Sequence, residues 1–175
     1  MKKQGLLVVF ILLQLGTAFG QEQSTHPPFL QEVLTAFGKA IEEKDSAGFQ
    51  KLFFQEQVPF VGIMSKETER SIKKNYPEFE GISVSNSQQF IQEICASTKP
   101  QKEHFYNVEI STDGVIATVQ FDYSFHSGEK ISQWGNERWN LVKVGEEWLI
   151  TDVIYSIRFP NIEAFPYGPE SENKE

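Results

Sequence analysis

The chain has 175 residues, a formal charge of -8, a hydrophobic share of 39% and 15 Phe. Roughly 100–200 residues usually form one domain, so the length suits a single unit with a sizeable core. The acidic balance argues against nucleic acid, whose phosphates need clustered Lys and Arg, and disfavours an anionic membrane surface.

Lys2 and Lys3 precede an apolar run from Leu6 to Leu15, too short to cross a bilayer, which takes about 20 residues. Ala18-Phe19-Gly20 then fits a small-x-small cleavage site. Residues 1–20 are therefore expected to be a signal peptide, with Gln21 the first mature residue. An uncleaved anchor is the alternative. The expected product is exported, periplasmic or secreted, with no stable membrane association after cleavage. No Cys follows the apolar run, so a lipid anchor is not indicated. The only cysteine, Cys95, leaves no internal disulfide framework, and stability must rest on the core. In FIQEICAS it reads as a small buried hydrophobe rather than a nucleophile.

Residues 21–27 read as a leader, 28–159 as the domain and 160–175 as a flexible, proline-rich acidic tail. Pro27-Pro28 opens a helix, where a missing N–H costs little. Leu30, Val33, Leu34, Phe37 and Ile41 then recur at helical spacing on one face. Asp45 or Ser46 can cap a short second helix carrying Phe49, Leu52 and Phe53. QVPFVGIM, residues 57–64, predicts a strand, and Pro59 argues for a sheet edge. Lys66 to Asn75 predicts an exposed helix and Ile82 to Ser85 a short strand. Asn86 or Ser87 can cap a third apolar-faced helix with Phe90, Ile91 and Ile94 inward.

From Phe105 to Ile157 the chain predicts four antiparallel strands. Tight turns are expected at Asp113-Gly114, Ser127-Gly128 and Gly145-Glu146. Helices come first and a meander follows, which is an α+β arrangement. AIEEKDSAGFQKLF resembles the end of the first helix of the nuclear transport factor 2-like superfamily, where a chain reversal precedes the second helix. WNLVKVGEEWLITDVIYS resembles its terminal hairpin. The resemblance spans about Phe29 to Phe159. It implies a cystatin-like cone, in which N-terminal helices pack in a strongly curved, mostly antiparallel sheet with a pocket at the open end. Its members include ketosteroid isomerases, dehydratases, polyketide cyclases and epoxide hydrolases beside many non-catalytic binding and dimerisation modules.

Strand parity, counted from two-residue turns, sorts the side chains into two faces. The face expected to cover the helices carries Tyr106, Tyr123, Trp134, Asn136, Arg138 and Tyr155 among apolar residues. These six are the candidate ligand-binding residues. An apolar cavity with a few convergent polar groups is the usual form of a small-molecule site. The same tyrosines could instead tuck their rings into the core, and Glu32 or Glu56 could pair with Arg138 structurally. Asp122, Asp152, Glu109, Glu137, Trp139, Trp148, Ile150 and Ile154 fall on the outer face. His104 falls at the inner edge and His126 outside. A bulge in any strand would reverse part of this assignment.

With no acid expected on the inner face, the favoured reading is a non-catalytic module for a small apolar ligand, or an interaction module. An isomerase, dehydratase or cyclase acting on a small apolar carbonyl compound is the alternative, and whether the chain is an enzyme stays open. No cofactor and no metal are called for: zinc spacing, a Gly-rich phosphate loop and serine-hydrolase motifs are absent. Trp139 and Trp148 on the sheet back suit a homodimer through the sheet, or cover by Phe165 and Tyr167 of the tail.

Overall fold

Helix α1, Pro28–Glu43, lays Leu30, Leu34, Phe37, Ala40 and Ile41 along one buried stripe. The computed structural model of the chain describes residues 28–167; the expected signal peptide, the leader and positions 168–175 lie outside the described residues. The helix stops because Lys44 turns left-handed, at φ 55°. The Asp45 N–H then bonds the Ala40 carbonyl at 2.9 Å and the Lys44 N–H bonds Ile41 at 3.2 Å, a Schellman closure. Asp45 at once caps the next helix, α2, Ser46–Gln50, its carboxylate accepting from the Gly48 N–H at 2.9 Å. The chain reversal expected in EEKDSAG is thus made by one Lys and one Asp.

Strand β1, Pro59–Met64, and strand β2, Ile82–Asn86, flank helix α3, Lys66–Lys73. Helix α4, Ser87–Ala96, follows β2 directly, with Asn86 accepting from the Gln89 N–H at 2.9 Å. Four long strands complete the sheet: β3, Gln101–Thr112; β4, Ile116–Ser127; β5, Lys130–Val144; and β6, Glu147–Ile157. The sheet order is β2-β1-β6-β5-β4-β3, antiparallel except for β1 beside β6. β1 is therefore not an edge strand. Pro59 is tolerated because it is the first residue of the strand, and β2 forms the edge. Cys95 is also not buried; it is exposed, its thiol reaching the Lys44 carbonyl at 3.3 Å.

Three single-residue bulges set the phase of the sheet. The β4–β5 turn is Gly128-Glu129, one residue later than expected, which by itself preserves parity. Ser132 then stands unpaired, since His126 pairs with Ile131 but Phe125 with Gln133. Beyond it every side chain of β5 exchanges faces. In β6, Thr151 is the extra residue between Ile150 and Asp152. In β3, Asn107 and Val108 together face Phe121, with Asn107 at φ 51°, a conformation Asn tolerates better than most residues.

The consequences are corrections to the expected faces. Trp139, Trp148, Ile150 and Glu137 lie inside, all at most 5% exposed. Trp134, Asn136 and Arg138 lie outside, as does Tyr106 beyond the β3 bulge. Val153, Tyr155 and Ile157 stay inside because the Thr151 bulge reverses the phase a second time. Trp139 stands at the middle of the core, 4.6 Å from the Phe37 ring and 5.0 Å from Phe121.

Residues 159–167 cross the outer face. The Trp134 indole donates to the Glu163 carbonyl at 2.9 Å, and Arg158 sits 5.0 Å above the Trp134 ring. Tyr167 stacks on Tyr106 at 4.9 Å. Phe165 and Tyr167 therefore cover Trp134 and Tyr106 rather than Trp139 and Trp148.

Candidate functional site

The open end of the cone holds a cleft of about 530 Å³. Strand β2 contributes Ser83 and Ser85, helix α4 contributes Gln89, Phe90 and Glu93, and the sheet contributes Phe125, Gln133, Tyr155 and Ile157. A far smaller chamber, about 20 Å³, lies against Phe37, Phe60, Glu103, Tyr123 and Glu137. That is room for roughly one water molecule. The cleft and the chamber share Phe90, Phe125, Gln133 and Tyr155 as walls.

Glu103 and Glu137 reach the chamber because of the bulges. The β3 bulge puts Gln101, Glu103 and Phe105 in phase with the core, and the Ser132 bulge does the same for Glu137. Both are nearly closed to solvent, at 6% and 5% exposure. Glu137 accepts from the Trp139 indole N–H at 2.5 Å. Among the described residues, no hydrogen-bond donor meets the Glu103 carboxyl. Burial raises Glu137 to about 8, against the pull of the Trp139 N–H. Burial raises Glu103 well above the usual carboxylate range too, and the neighbouring Glu137 adds to it. Two carboxyls in one enclosed chamber cannot both ionise cheaply, which favours a proton kept on the pair.

Two tyrosines stand beside the pair. Tyr123, 1% exposed, donates its hydroxyl to the Ser156 carbonyl at 3.0 Å. Burial, with Glu137 next in effect, lifts it well above the ordinary phenol. Tyr155 is pushed up to about 12 by the same two causes, while a hydrogen bond with Ser83 acts the other way. The rings of Tyr123 and Tyr155 lie 6.2 Å apart, edge to face. Tyr155 is the hydroxyl-bearing ring that lines both cavities.

Of the six residues expected in the site, the structure places only Tyr123 and Tyr155 there. Tyr106 bonds Ser124 at 3.3 Å on the outer face. Trp134 lies under the C-terminal segment, and Asn136 donates to Asp122 at 3.2 Å. Arg138 is exposed and its Nε donates to Gln120 at 3.1 Å, so it needs neither Glu32 nor Glu56. His104 is also outside, its ring 4.8 Å from that of His126. Burial lowers both imidazoles from their usual value. Asp122 and Asp152 lie outside as expected, bonded to Asn107 and Asn140. Glu103, Glu137 and Gln133 are the functional candidates that parity counting missed.

The wall of the cleft carries one formal charge, Glu93, and the chamber adds Glu103 and Glu137. Among the described residues, no Lys, Arg or His lines either cavity. Chemically, the arrangement can shelter an apolar body, present a proton-holding carboxyl pair at its inner end, and offer the Tyr155 hydroxyl on the way in.

No family model and no curated protein matches this sequence. Solved structures match the fold. One is a nuclear transport factor 2-like protein of unknown function from Shewanella baltica, 18% identical, with TM-score 0.53 over 75% of this chain and 92% of that one. A second, of the same description, is from Silicibacter pomeroyi: 17% identity, TM-score 0.53, 77% and 98% covered. A third, from Novosphingobium aromaticivorans, is described as nuclear transport factor 2-like with a cystatin-like fold: 9% identity, TM-score 0.54, 74% and 80% covered.

Proposed function

We propose that this chain, which has the cystatin-like cone fold of nuclear transport factor 2-like proteins, holds a small, largely apolar molecule in the mouth of that cone. The observation that carries the reading is the cleft of about 530 Å³, which shares Phe90, Phe125, Gln133 and Tyr155 with the small chamber of the buried Glu103–Glu137 pair. Pockets of roughly 300–1,000 Å³ suit small molecules, and a few polar groups at one end orient them. Export belongs to this reading on the strength of the charged and apolar run at residues 1–20.

The test is native mass spectrometry of the protein purified from its own host, beside Gln133→Trp, which enlarges a side chain lining both cleft and chamber. A bound small molecule in the natural protein, lost in the variant, supports the site. The neutral dye Nile red provides the control. If neither a host molecule nor the dye distinguishes the two proteins, the reading falls.

The carboxyl pair favours one second reading. Proton-transfer catalysis needs a group tuned towards neutral pH, and burial tunes carboxyls that way. The expected absence of an acid on the inner face was the ground for a non-catalytic module, and Glu103 and Glu137 remove that ground. In this second reading one carboxyl moves a proton beside a carbonyl that Tyr155 polarises. Deuterium uptake next to the carbonyl of 4-phenylbutan-2-one, lost in Glu103→Gln and Glu137→Gln, is its mark. Uptake at the same rate in both variants rules it out.

A further inference from the structure

We infer that the molecule this site takes carries a cationic amine on an apolar body, with the amine seated in the chamber between the two carboxyls and the surrounding rings. The inference rests on the proposed small-molecule site and names the class of its ligand. Three observations carry it. Among the described residues, all formal charge on the walls is negative: Glu93 in the cleft, Glu103 and Glu137 in the chamber. Glu103 is 6% exposed as a residue, lines the chamber, and its carboxyl meets no donor among the described residues. Six aromatic rings enclose the same space: Phe37, Phe60, Phe90, Tyr123, Phe125 and Tyr155.

Each observation selects against the other ligand classes. An anion would enter a chamber of buried acids with no cation to meet it. A neutral apolar molecule would bring Glu103 no donor and no countercharge, which costs free energy in an enclosed site. An ammonium supplies several donors and the missing countercharge at once. Its remaining C–H or N–H surface meets ring faces, which attract cations most when water is excluded.

Binding of this kind also displaces a proton. The pair is proton-holding without ligand, and an ammonium beside it favours the ionised form. The ammonium keeps its own proton, and the carboxyl proton leaves to solvent. The other titratable groups about the pair are Tyr123 on β4, Tyr155 on β6 and Glu93 on α4. The one cation whose field reaches Tyr123 is Arg158, at the end of β6. The tyrosines stay neutral throughout the neutral range, so the released proton belongs to the pair.

Three probes of one shape test this: 2-phenylethylamine, 2-phenylethanol and phenylacetate. Calorimetric titrations of the purified protein at pH 7, in two buffers of different ionisation enthalpy, report affinity and proton release together. The amine is expected to bind at least about tenfold tighter than the alcohol, a difference of about 1.4 kcal/mol. Phenylacetate is expected to bind weakest. Proton release with the amine should approach ~1 and be absent with the alcohol. Glu103→Gln and Glu137→Gln should each bring the amine down towards the alcohol. Because a variant of a buried pair can fail to fold, the three-probe comparison on the natural protein decides alone. An alcohol or carboxylate that binds as tightly as the amine, or amine binding without proton release, overturns the inference. In that event Nile red entry into the cleft still shows whether the small-molecule site itself stands.

Discussion

Gly62 on β1 lies directly across from Tyr155 on β6, and a β-carbon on Gly62 would stand 2.8 Å from the Tyr155 ring. The same carbon would meet the Ile157 side chain at 2.7 Å. The glycine is thus the seat on which the Tyr155 ring rests at the wall shared by cleft and chamber. Gly62→Ala should tilt that ring into the cleft. We expect a stability loss of about 1–3 kcal/mol from overpacking, and weaker Nile red binding out of proportion to it. Chemical denaturation and dye titration check both. Unaltered dye affinity would show that Tyr155 does not shape the site.

Gly135 makes the corresponding contact on β5, but with backbone. A β-carbon there would lie 1.9 Å from the Ser156 carbonyl oxygen, the same oxygen that accepts the Tyr123 hydroxyl. Side chains can swing aside, whereas a strand held by its ladder cannot. Gly135→Ala should therefore cost more than Gly62→Ala, about 3 kcal/mol or more, with poor soluble yield. Urea midpoints of the two variants side by side test the ranking.

The buried carboxyl pair predicts how stability changes with pH. Glu137 is raised from 4.5 to about 8 by burial. Between those values the unfolded chain loses a proton that the folded chain keeps. Stability from this group is therefore greatest below pH 4.5 and declines as pH rises towards 8. Glu103, raised by burial and by Glu137, acts in the same direction. Glu137→Gln should flatten the decline, gaining on the natural protein by up to a few kcal/mol between pH 5 and 8, at about 1.4 kcal/mol per unit. Thermal midpoints across that range measure it. Parallel curves would mean that Glu137 ionises in the folded protein as it does in the unfolded one.

Two buried tryptophans should respond unequally to loss of their N–H. The Trp139 indole bonds Glu137, whereas the Trp148 Nε1 is buried without a partner among the described residues. Trp139→Phe removes the only donor that Glu137 meets there and leaves a gap in the core, costing about 3 kcal/mol. Trp148→Phe removes an unsatisfied group and keeps much of the stacking on Phe29, whose ring lies 5.6 Å away. Its cost should stay within about 1 kcal/mol. Equal losses would contradict the assignment.

Glu163 ties the C-terminal segment to the rest of the fold. Its carboxylate accepts from the Ser65 hydroxyl, from Thr68 Oγ1 at 2.9 Å, and pairs with Arg158 at 3.4 Å. Ser65 is also the cap of α3. Glu163→Ala should cost about 2 kcal/mol and leave α3 and residues 159–167 more open to amide exchange. Protection unchanged in α3 would show that the cap holds without Glu163.

Much of this fold is written in local pattern. The apolar stripe of α1, the Asp45 and Asn86 caps, and the Gly145-Glu146 turn each involve neighbours within about one helical turn, where propensity and periodicity speak directly. The strand phases were legible only in part. Counting registers back from assumed turns carried one error through the whole of β5. Its own alternation, with Trp139 and Leu141 apolar beside Arg138 and Asn140, already pointed the other way. That signal also carried Glu137 inward, since it shares the parity of Trp139.

What the sequence determined by itself was the set of elements and their α+β order, because periodicity, caps and turn residues act locally; the cone was what the family resemblance implied. What only the tertiary structure decided was which polar groups the cone encloses. Ser132, Thr151 and the Asn107–Val108 pair each shift a strand by one residue, and side chains alternate faces with a period of two. Such a shift leaves hydrophobic content and turn signals almost unchanged while exchanging Asn136 and Arg138 for Glu137. The acids beside Tyr123 and Tyr155 therefore meet through strand pairing across the sheet: the alternation of β5 turns Glu137 inward, but only the shifted register of β3 brings Glu103 to it.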